Sequence, residues 1–355
     1  MTSGIKGERV DWVDYAKGIC IILVVMMHST LGVEKAAGEL SWLNGFIEWA
    51  RPFRMPDFFL ISGLFLASRI DRPWRQYLDT KLVHFAYFYI LWMTIQFGMK
   101  STGLVAEEGV LAALKAYGLG LVQPFGTLWF IYLLAIFFVT AKLLRGVPPL
   151  LVFAVAAALQ MTSIHTGWLV IDEFANRFVY FFAGYWLAKH VFAYAREVQS
   201  LNPLGIVGGL AIWAVINAIL VDNGAAKLPG IGLVLGFIGA GAVIAMGVFL
   251  ARFKFALPIR YCGENSIVIY LAFFMFMAAT RTLLLKTGVI TDLGAVSLIV
   301  TLAGVAGPVL LFWAVRKTPL SFLFRRPGWV RIPATSRQRA AQPGLVSSKA
   351  GRLEA

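Results

Sequence analysis

Apolar residues run along this chain in long blocks instead of alternating or recurring on one helical face. A helix needs about 20 residues to cross about 30 Å of hydrocarbon, and ten blocks come near that length. They lie near 17–33, 45–67, 82–99, 126–145, 148–162, 174–193, 203–221, 231–250, 266–285 and 292–315. The fifth is short, and the second carries charges. Residues 100–125 are too polar and glycine-rich to span, and are expected to form an outer loop with a short amphipathic helix. The apolar stretch 19–27 follows Glu8, Asp11 and Asp14, a poor flank for a cleaved signal, so a retained first helix is expected. Repeats at solenoid or half-protein spacing are not evident, which weakens a two-fold transporter reading. The pattern predicts an all-α polytopic membrane protein with a transmembrane domain over 1–315. Residues 316–355 turn to Arg, Pro, Ser and Gln, and read as a basic flexible tail lying on anionic headgroups.

Composition agrees with the pattern. Hydrophobic residues make up 59 % and charged residues 14 %, against about 45–50 % and about 25 % in soluble domains. Mean hydropathy is +0.76. An ordinary cytosolic enzyme is excluded. Two cysteines, Cys20 and Cys262, exclude a disulfide scaffold and a multi-cysteine metal site.

The net charge of +14 acquires a meaning once it is distributed over the spans. Twenty-three basic residues fall on one side, among them Lys6, Arg9, Arg337, Arg339, Lys349 and Arg352, against Lys35, Lys100, Lys115, Lys227 and Lys286 on the other. Basic loops stay in the cytoplasm. Both termini are therefore expected there, in a multi-pass protein of the cell's inner membrane. The bias explains the charge without nucleic acid.

Four arginines fall near or inside apolar segments: Arg51, Arg54, Arg177 and Arg281. Arg177 and Arg281 sit close to outer ends, where they can snorkel. Arg51 and Arg54 lie well inside the second span, in Arg51-Pro52-Phe53-Arg54-Met55-Pro56-Asp57. Charge at membrane depth marks function by default. Three-residue spacing puts both guanidinium groups on one helix face, where they call for an anion: Asp57, Glu48 or a substrate group. An internal pair with Asp57, fixing a proline-kinked helix, is the structural alternative.

The first span holds Asp14, Lys17 and His28. Eleven steps bring Lys17 and His28 onto one face, about 16 Å apart along the axis. Lys17 then sits at the cytoplasmic lip and His28 past the midplane, level with Arg51 and Arg54. A titratable imidazole at that depth is a candidate general base. His84, His165 and His190 fall at span ends or in a loop, and no metal-ligand cluster is visible, so no metal is expected.

Asp14-Tyr15-Ala16-Lys17-Gly18 with His28 resembles the first-helix motif of the membrane acyltransferase family 3, a basic residue and a histidine ten residues apart. Arg51-Pro52-Phe53-Arg54 resembles its paired-arginine motif, and Phe58-Phe59-Leu60-Ile61-Ser62-Gly63 its FFxISG motif. Thr127-Leu128-Trp129-Phe130 is similar to its LWF segment, and Gly263-Glu264-Asn265-Ser266-Ile267-Val268-Ile269-Tyr270 to its late helix start. The order covers about 15–315, and ten helices is the family's number. This chain departs in Lys17 where arginine is frequent, in Phe273 where many members carry histidine, and in Asp57 where an apolar residue is common.

The resemblance implies an integral membrane O-acyltransferase. It moves an acyl group, usually acetyl, from a cytoplasmic acyl-CoA such as acetyl-CoA to a hydroxyl of an extracytoplasmic glycan or lipid-linked sugar, as in polysaccharide O-acetylation. His28, Arg51 and Arg54 are its candidate catalytic residues, and Lys17 with Asp14 its candidate coenzyme contacts. Asp57, Ser62, Trp129, Asn265 and Ser266 are candidate acceptor or acyl-group contacts; Asn265 or Ser266 also reads as the cap of the ninth helix. The rival is a transporter or glycan exporter using His28, Arg51 and Arg54 as an anion or proton site.

Overall fold

The computed structural model describes residues 10–332. Glu8, Lys6 and Arg9, and likewise Arg337, Arg339, Lys349 and Arg352, lie outside the described residues, and with them the expectations placed on those positions. Fourteen helices follow one another, and no strand occurs among the described residues. They are α1 (Asp11–Ala37), α2 (Leu43–Leu64), α3 (Trp74–Leu78), α4 (His84–Glu108), α5 (Val110–Gly120), α6 (Trp129–Leu143) and α7 (Pro149–Met161). Then come α8 (Leu169–Trp186), α9 (Ala188–Ser200), α10 (Pro203–Asp222), α11 (Ile231–Leu250), α12 (Leu257–Glu264), α13 (Ser266–Thr287) and α14 (Leu293–Val315). The architecture is that of an all-α polytopic membrane protein.

Among the described residues seven helical segments are long and apolar enough to cross a bilayer: α1, the continuous run Trp74–Ser101, the run Trp129–Gly146 that begins with α6, α10, α11, α13 and α14. The other three expected spans are helices as well. α7 is short, α2 carries Arg51, Arg54 and Asp57, and α8 opens with Asp172, Glu173 and Arg177. α2 and α8 lean on each other. A Cβ on Gly63 would lie 2.1 Å from the Phe181 carbonyl oxygen, and one on Gly184 2.0 Å from that of Leu60. Small residues let membrane helices approach this closely.

Contacts give the direction of each rod. Arg177 acts on Arg54 midway along both helices, and Gly63 meets Phe181 and Tyr185 further along, so α2 and α8 run parallel. Tyr77 bonding to the Phe138 carbonyl (2.7 Å), with Gln96 near Thr127 (3.4 Å), makes α4 and α6 antiparallel. Gly247 against Trp12 and Ala16 brings the end of α11 to the start of α1. The start and end of the described chain share that end of the bundle. There Arg326 donates to the Asp79 carboxylate (2.7 Å), and the backbone N–H of Ile332 donates to it as well (2.8 Å). The stretch from Arg316 to Ile332, expected to begin a flexible tail, thus lies on the start of α4; Trp92 and Tyr87 fasten it through the Leu323 and Phe322 carbonyls.

Two local expectations change. The sixth span breaks at Leu187, and α9 continues separately, because Lys189, His190, Arg196 and Glu197 make it a polar helix. In the 100–125 segment α4 runs on to Glu108, and α5 is apolar instead of amphipathic, with Val110, Leu111 and Leu114 all more than 60 % exposed.

Candidate active site

The site forms where the starts of α1 and α13 meet the end of α2 and one face of α6. α1 and α12 touch backbone to backbone at Gly18, whose missing Cβ would lie 2.0 Å from the Ile259 carbonyl oxygen. Arg260 ties the junction by bonding Asp11 (3.0 Å) and Glu264 (3.2 Å). Beside this junction opens a cavity of about 560 Å³, at the end of the bundle that holds both ends of the described chain. Asp14 and Lys17 line it from α1, Ser62 from α2 and Phe65 just past its end, Phe138 from α6, and Glu264 with Ser266 from the α12–α13 corner. Lys17 and Asp14 thus line the same cavity.

Lys81 and His84 complete the wall, although the apolar pattern marks both only as span-end residues. Their place comes from a π-helical turn over Asp79–Val83, between α3 and α4. One wider turn re-aims the side chains that follow it, a frequent feature of functional sites. The Lys81 ammonium lies 3.8 Å from the Phe138 ring centroid, and Lys17 5.6 Å from that of Phe65. Arg69, Arg72 and Lys17 are the charges that act on Lys81, so this mouth is cationic.

Deeper in the bundle, past the cavity, lies a void of about 10 Å³ lined by Val24, His28, Met55, Phe58, Thr127, Trp129, Phe130 and Tyr270. His28 lies on the α1 face that also carries Lys17, and its ring packs against Phe273, centroids 5.4 Å apart. Phe273 is fully buried. Trp129 reaches the same void, as a contact to a reacting group would need to.

The two arginines separate. Arg54 is buried; its Nη1 donates to the Ile47 carbonyl (3.2 Å) and its Nε has no partner among the described residues. It is the charged group that acts on His28. Arg51 instead turns outward, with 61 % of its side chain exposed, and pairs with Glu48 (3.1 Å). The expected shared face therefore fails: α2 is buried on all sides from Phe53 to Ile61, whereas before that stretch only the flank of Leu43, Ile47 and Ala50 is buried, and Arg51 lies off that flank.

The structural alternative, a pair between these arginines and Asp57, is not seen either, since no ion pair joins Asp57 to Arg51 or Arg54 among the described residues. Asp57 is 1 % exposed, both its carboxylate oxygens lack a partner among those residues, and it lines neither the cavity nor the void. Of the remaining candidates, Ser62 and Ser266 line the cavity, the former bonded back to the Phe58 carbonyl (2.7 Å). Asn265 stands at the N-cap of α13 but makes no capping bond; its amide donates to the Tyr261 carbonyl (2.9 Å). Cavity and void share Phe58, Phe130 and Tyr270, and Tyr270 is one turn beyond Ser266 on α13, a spacing that would have pointed to it.

Among the described residues no group of three His, Cys, Asp or Glu side chains converges as a metal site would require. The arrangement instead offers a cationic cavity, a buried guanidinium and an imidazole beyond it. These are parts for holding an anionic donor, stabilising negative charge and moving a proton.

The acyltransferase domain of acyltransferase family 3 matches residues 10–315, nearly the whole described chain. The chain is also 26 % identical over 233 residues to the inner membrane protein YcfT of Escherichia coli, covering 59 % of this chain and 64 % of that one. It is 25 % identical over 146 residues to the nodulation protein NolL of Mesorhizobium japonicum, covering 41 % of this chain and 38 % of that one. The match thus spans less than two thirds of either relative. No solved structure matches the chain. The chain belongs to acyltransferase family 3, and it is a multi-pass membrane protein.

Proposed function

Taking the chain as a member of acyltransferase family 3, we propose that it moves an acyl group, acetyl first, from a coenzyme A thioester to a hydroxyl of an extracytoplasmic glycan or lipid-linked sugar. One observation carries the reading: a cavity lined by Lys17 and Lys81 at one end of the bundle leads inward to the aromatic residues that wall off His28. A volume of about 560 Å³ suits a pantetheine arm, since small-molecule sites run from about 300 to 1,000 Å³. The nucleotide phosphates then rest at the mouth, near Lys81 and Lys17, with Arg69 and Arg72 beyond. The excess of basic residues at that end supports a cytoplasmic mouth, and the inner membrane is the location, as for the E. coli relative.

In the reaction the acceptor oxygen forms a bond to the thioester carbon while its proton passes to His28. The C–S bond then breaks, and the coenzyme A thiolate takes the proton from the imidazolium. Arg54 stabilises the oxyanion of the intermediate, where fixed charge is worth most in a water-poor site. Arg51, turned outward to Glu48, is left without a catalytic part, and Asp57 without an acceptor contact.

The test is thiol release from acetyl-CoA by the purified protein in lipid nanodiscs, with a membrane glycolipid extract as acceptor. Release should require the extract and disappear in His28→Ala. Equal release by that variant, or none by wild type, would overturn the reading.

A further inference from the structure

We infer that Phe58, Phe130 and Tyr270 form an aromatic partition that restricts the transferred group to acetyl. This rests on the proposal that the cavity takes a coenzyme A thioester. The three residues come from three motifs on three helices, α2, α6 and α13, and they are the residues common to the cavity and the His28 void. Their rings are packed: Phe58 to Phe130 at 4.6 Å and Phe130 to Tyr270 at 5.6 Å between centroids. Phe59 backs Phe130 at 4.7 Å. On α1, fully buried Ile21 fills the same level, between Lys17 on the cavity side and Val24 on the void side.

Tyr270 is the fixed member. Its hydroxyl donates to the Thr127 carbonyl (2.6 Å) and accepts from the Phe130 backbone N–H (3.1 Å). Swinging the phenol away would strand both groups in a buried site, which is costly. The phenylalanines have no such bonds and can yield slightly.

A donor held by its phosphates at the mouth presents its acyl end to this partition first. Beyond the rings the free space admits about one water-sized group, which is room for the methyl of an acetyl group and no more. Each carbon past acetyl must therefore displace a packed ring. A single methylene in a tight apolar site changes selectivity by about 10–200-fold.

The experiment uses the full chain in nanodiscs and compares kcat/KM for acetyl-, propionyl- and butyryl-CoA by thiol release. Wild type should prefer acetyl to butyryl by at least about tenfold. Phe58→Ala should raise the butyryl-to-acetyl ratio about tenfold or more, with Phe58→Leu and Phe130→Leu moving it the same way. The ratio is taken within one preparation, so partial misfolding of a variant does not change it, and the two leucine variants serve if the alanine variant does not fold. Phe137→Leu, on the side of α6 that faces α8, should leave the ratio alone. Equal use of acetyl and butyryl by wild type, or an unchanged ratio in all partition variants, would overturn the partition while thiol release still upheld the donor. Release from none of the thioesters would overturn the donor and the partition together.

Discussion

Gly263 meets the Asp14 carbonyl oxygen so closely that a Cβ on it would lie 1.7 Å away. The nearest obstructing atoms are all backbone, with the Gly18 nitrogen 2.8 Å from the same point, so no side-chain rotation can relieve the clash. This contact sets one wall of the cavity. Gly263→Ala should lower stability by about 3 kcal/mol, the upper end for overpacking, and loosen donor binding. Gly205→Ala on α10, where a Cβ meets nothing within 4 Å, should not destabilise. Thermal unfolding in detergent compares the two, and equal melting temperatures would show that α12 does not hold α1 in this way.

The topology gives a second prediction. Arg331 lies beside the strap residues fastened to Asp79, at the same end as the start of α1, whereas Lys115 lies on α5 at the other end. In a background with Cys20 and Cys262 replaced by serine, a membrane-impermeant thiol reagent added to intact cells should label Lys115→Cys and spare Arg331→Cys. The reverse would invert the protein and move the cavity outside.

Arg54→Lys should impair transfer nearly as much as Arg54→Ala, by about 10²–10³-fold if it serves the oxyanion. A lysine supplies a point charge in place of a planar fork, and its shorter reach leaves the Ile47 carbonyl unserved. Arg51→Ala should stay near wild type, because an exposed pair such as Arg51–Glu48 is worth about 0–1 kcal/mol. Transfer rates of the three variants at matched expression decide it. Full activity in Arg54→Lys would reduce Arg54 to a structural cation.

How much of the site is legible in the sequence follows from which forces act locally. The Lys17–His28 face needs only helical periodicity, and charge bias needs only a count along the chain. Arg51 and Arg54 cannot be told apart there, since their fates depend on which flank of α2 packs. Asp57 is the obvious partner of Arg54 by spacing, yet Arg54 bonds the Ile47 carbonyl instead. Lys81 is invisible because a π turn, not a helix, aims it. Tyr270 belongs to a motif, but its function as a pinned wall needs the Thr127 and Phe130 backbones brought to it from a distant segment.

Lys81→Ala should raise KM for the acyl donor about tenfold, the loss of one charge-assisted contact of about 1.5 kcal/mol, and leave kcat nearly unchanged. Arg145→Ala, an exposed residue 3.9 Å from Asp71 and away from the cavity, controls for general loss of positive charge. Steady-state kinetics with acetyl-CoA distinguish the outcomes. A fall in kcat with KM unchanged would place Lys81 in the chemistry and not in donor binding.

His28 carries the enzyme reading, and its replacement separates chemistry from binding. The side chain borders the void and leans on Phe273; it does not line the cavity that would hold the donor. His28→Ala should therefore fold and insert, since an apolar residue in an apolar helix favours insertion. Donor binding should survive, because Lys17 lies eleven residues, about 16 Å, back along α1. Transfer should fall by about 10²–10⁴-fold, the usual worth of a positioned base. His28→Gln tests the same point with a side chain that keeps hydrogen bonding and loses basicity; it should be as inactive as His28→Ala. Coenzyme A binding and acyl transfer, measured on the same preparations, distinguish a base from a binding or packing residue. Transfer near the wild-type rate in either variant would remove His28 from the reaction, and binding lost together with folding would make it a structural residue of the bundle.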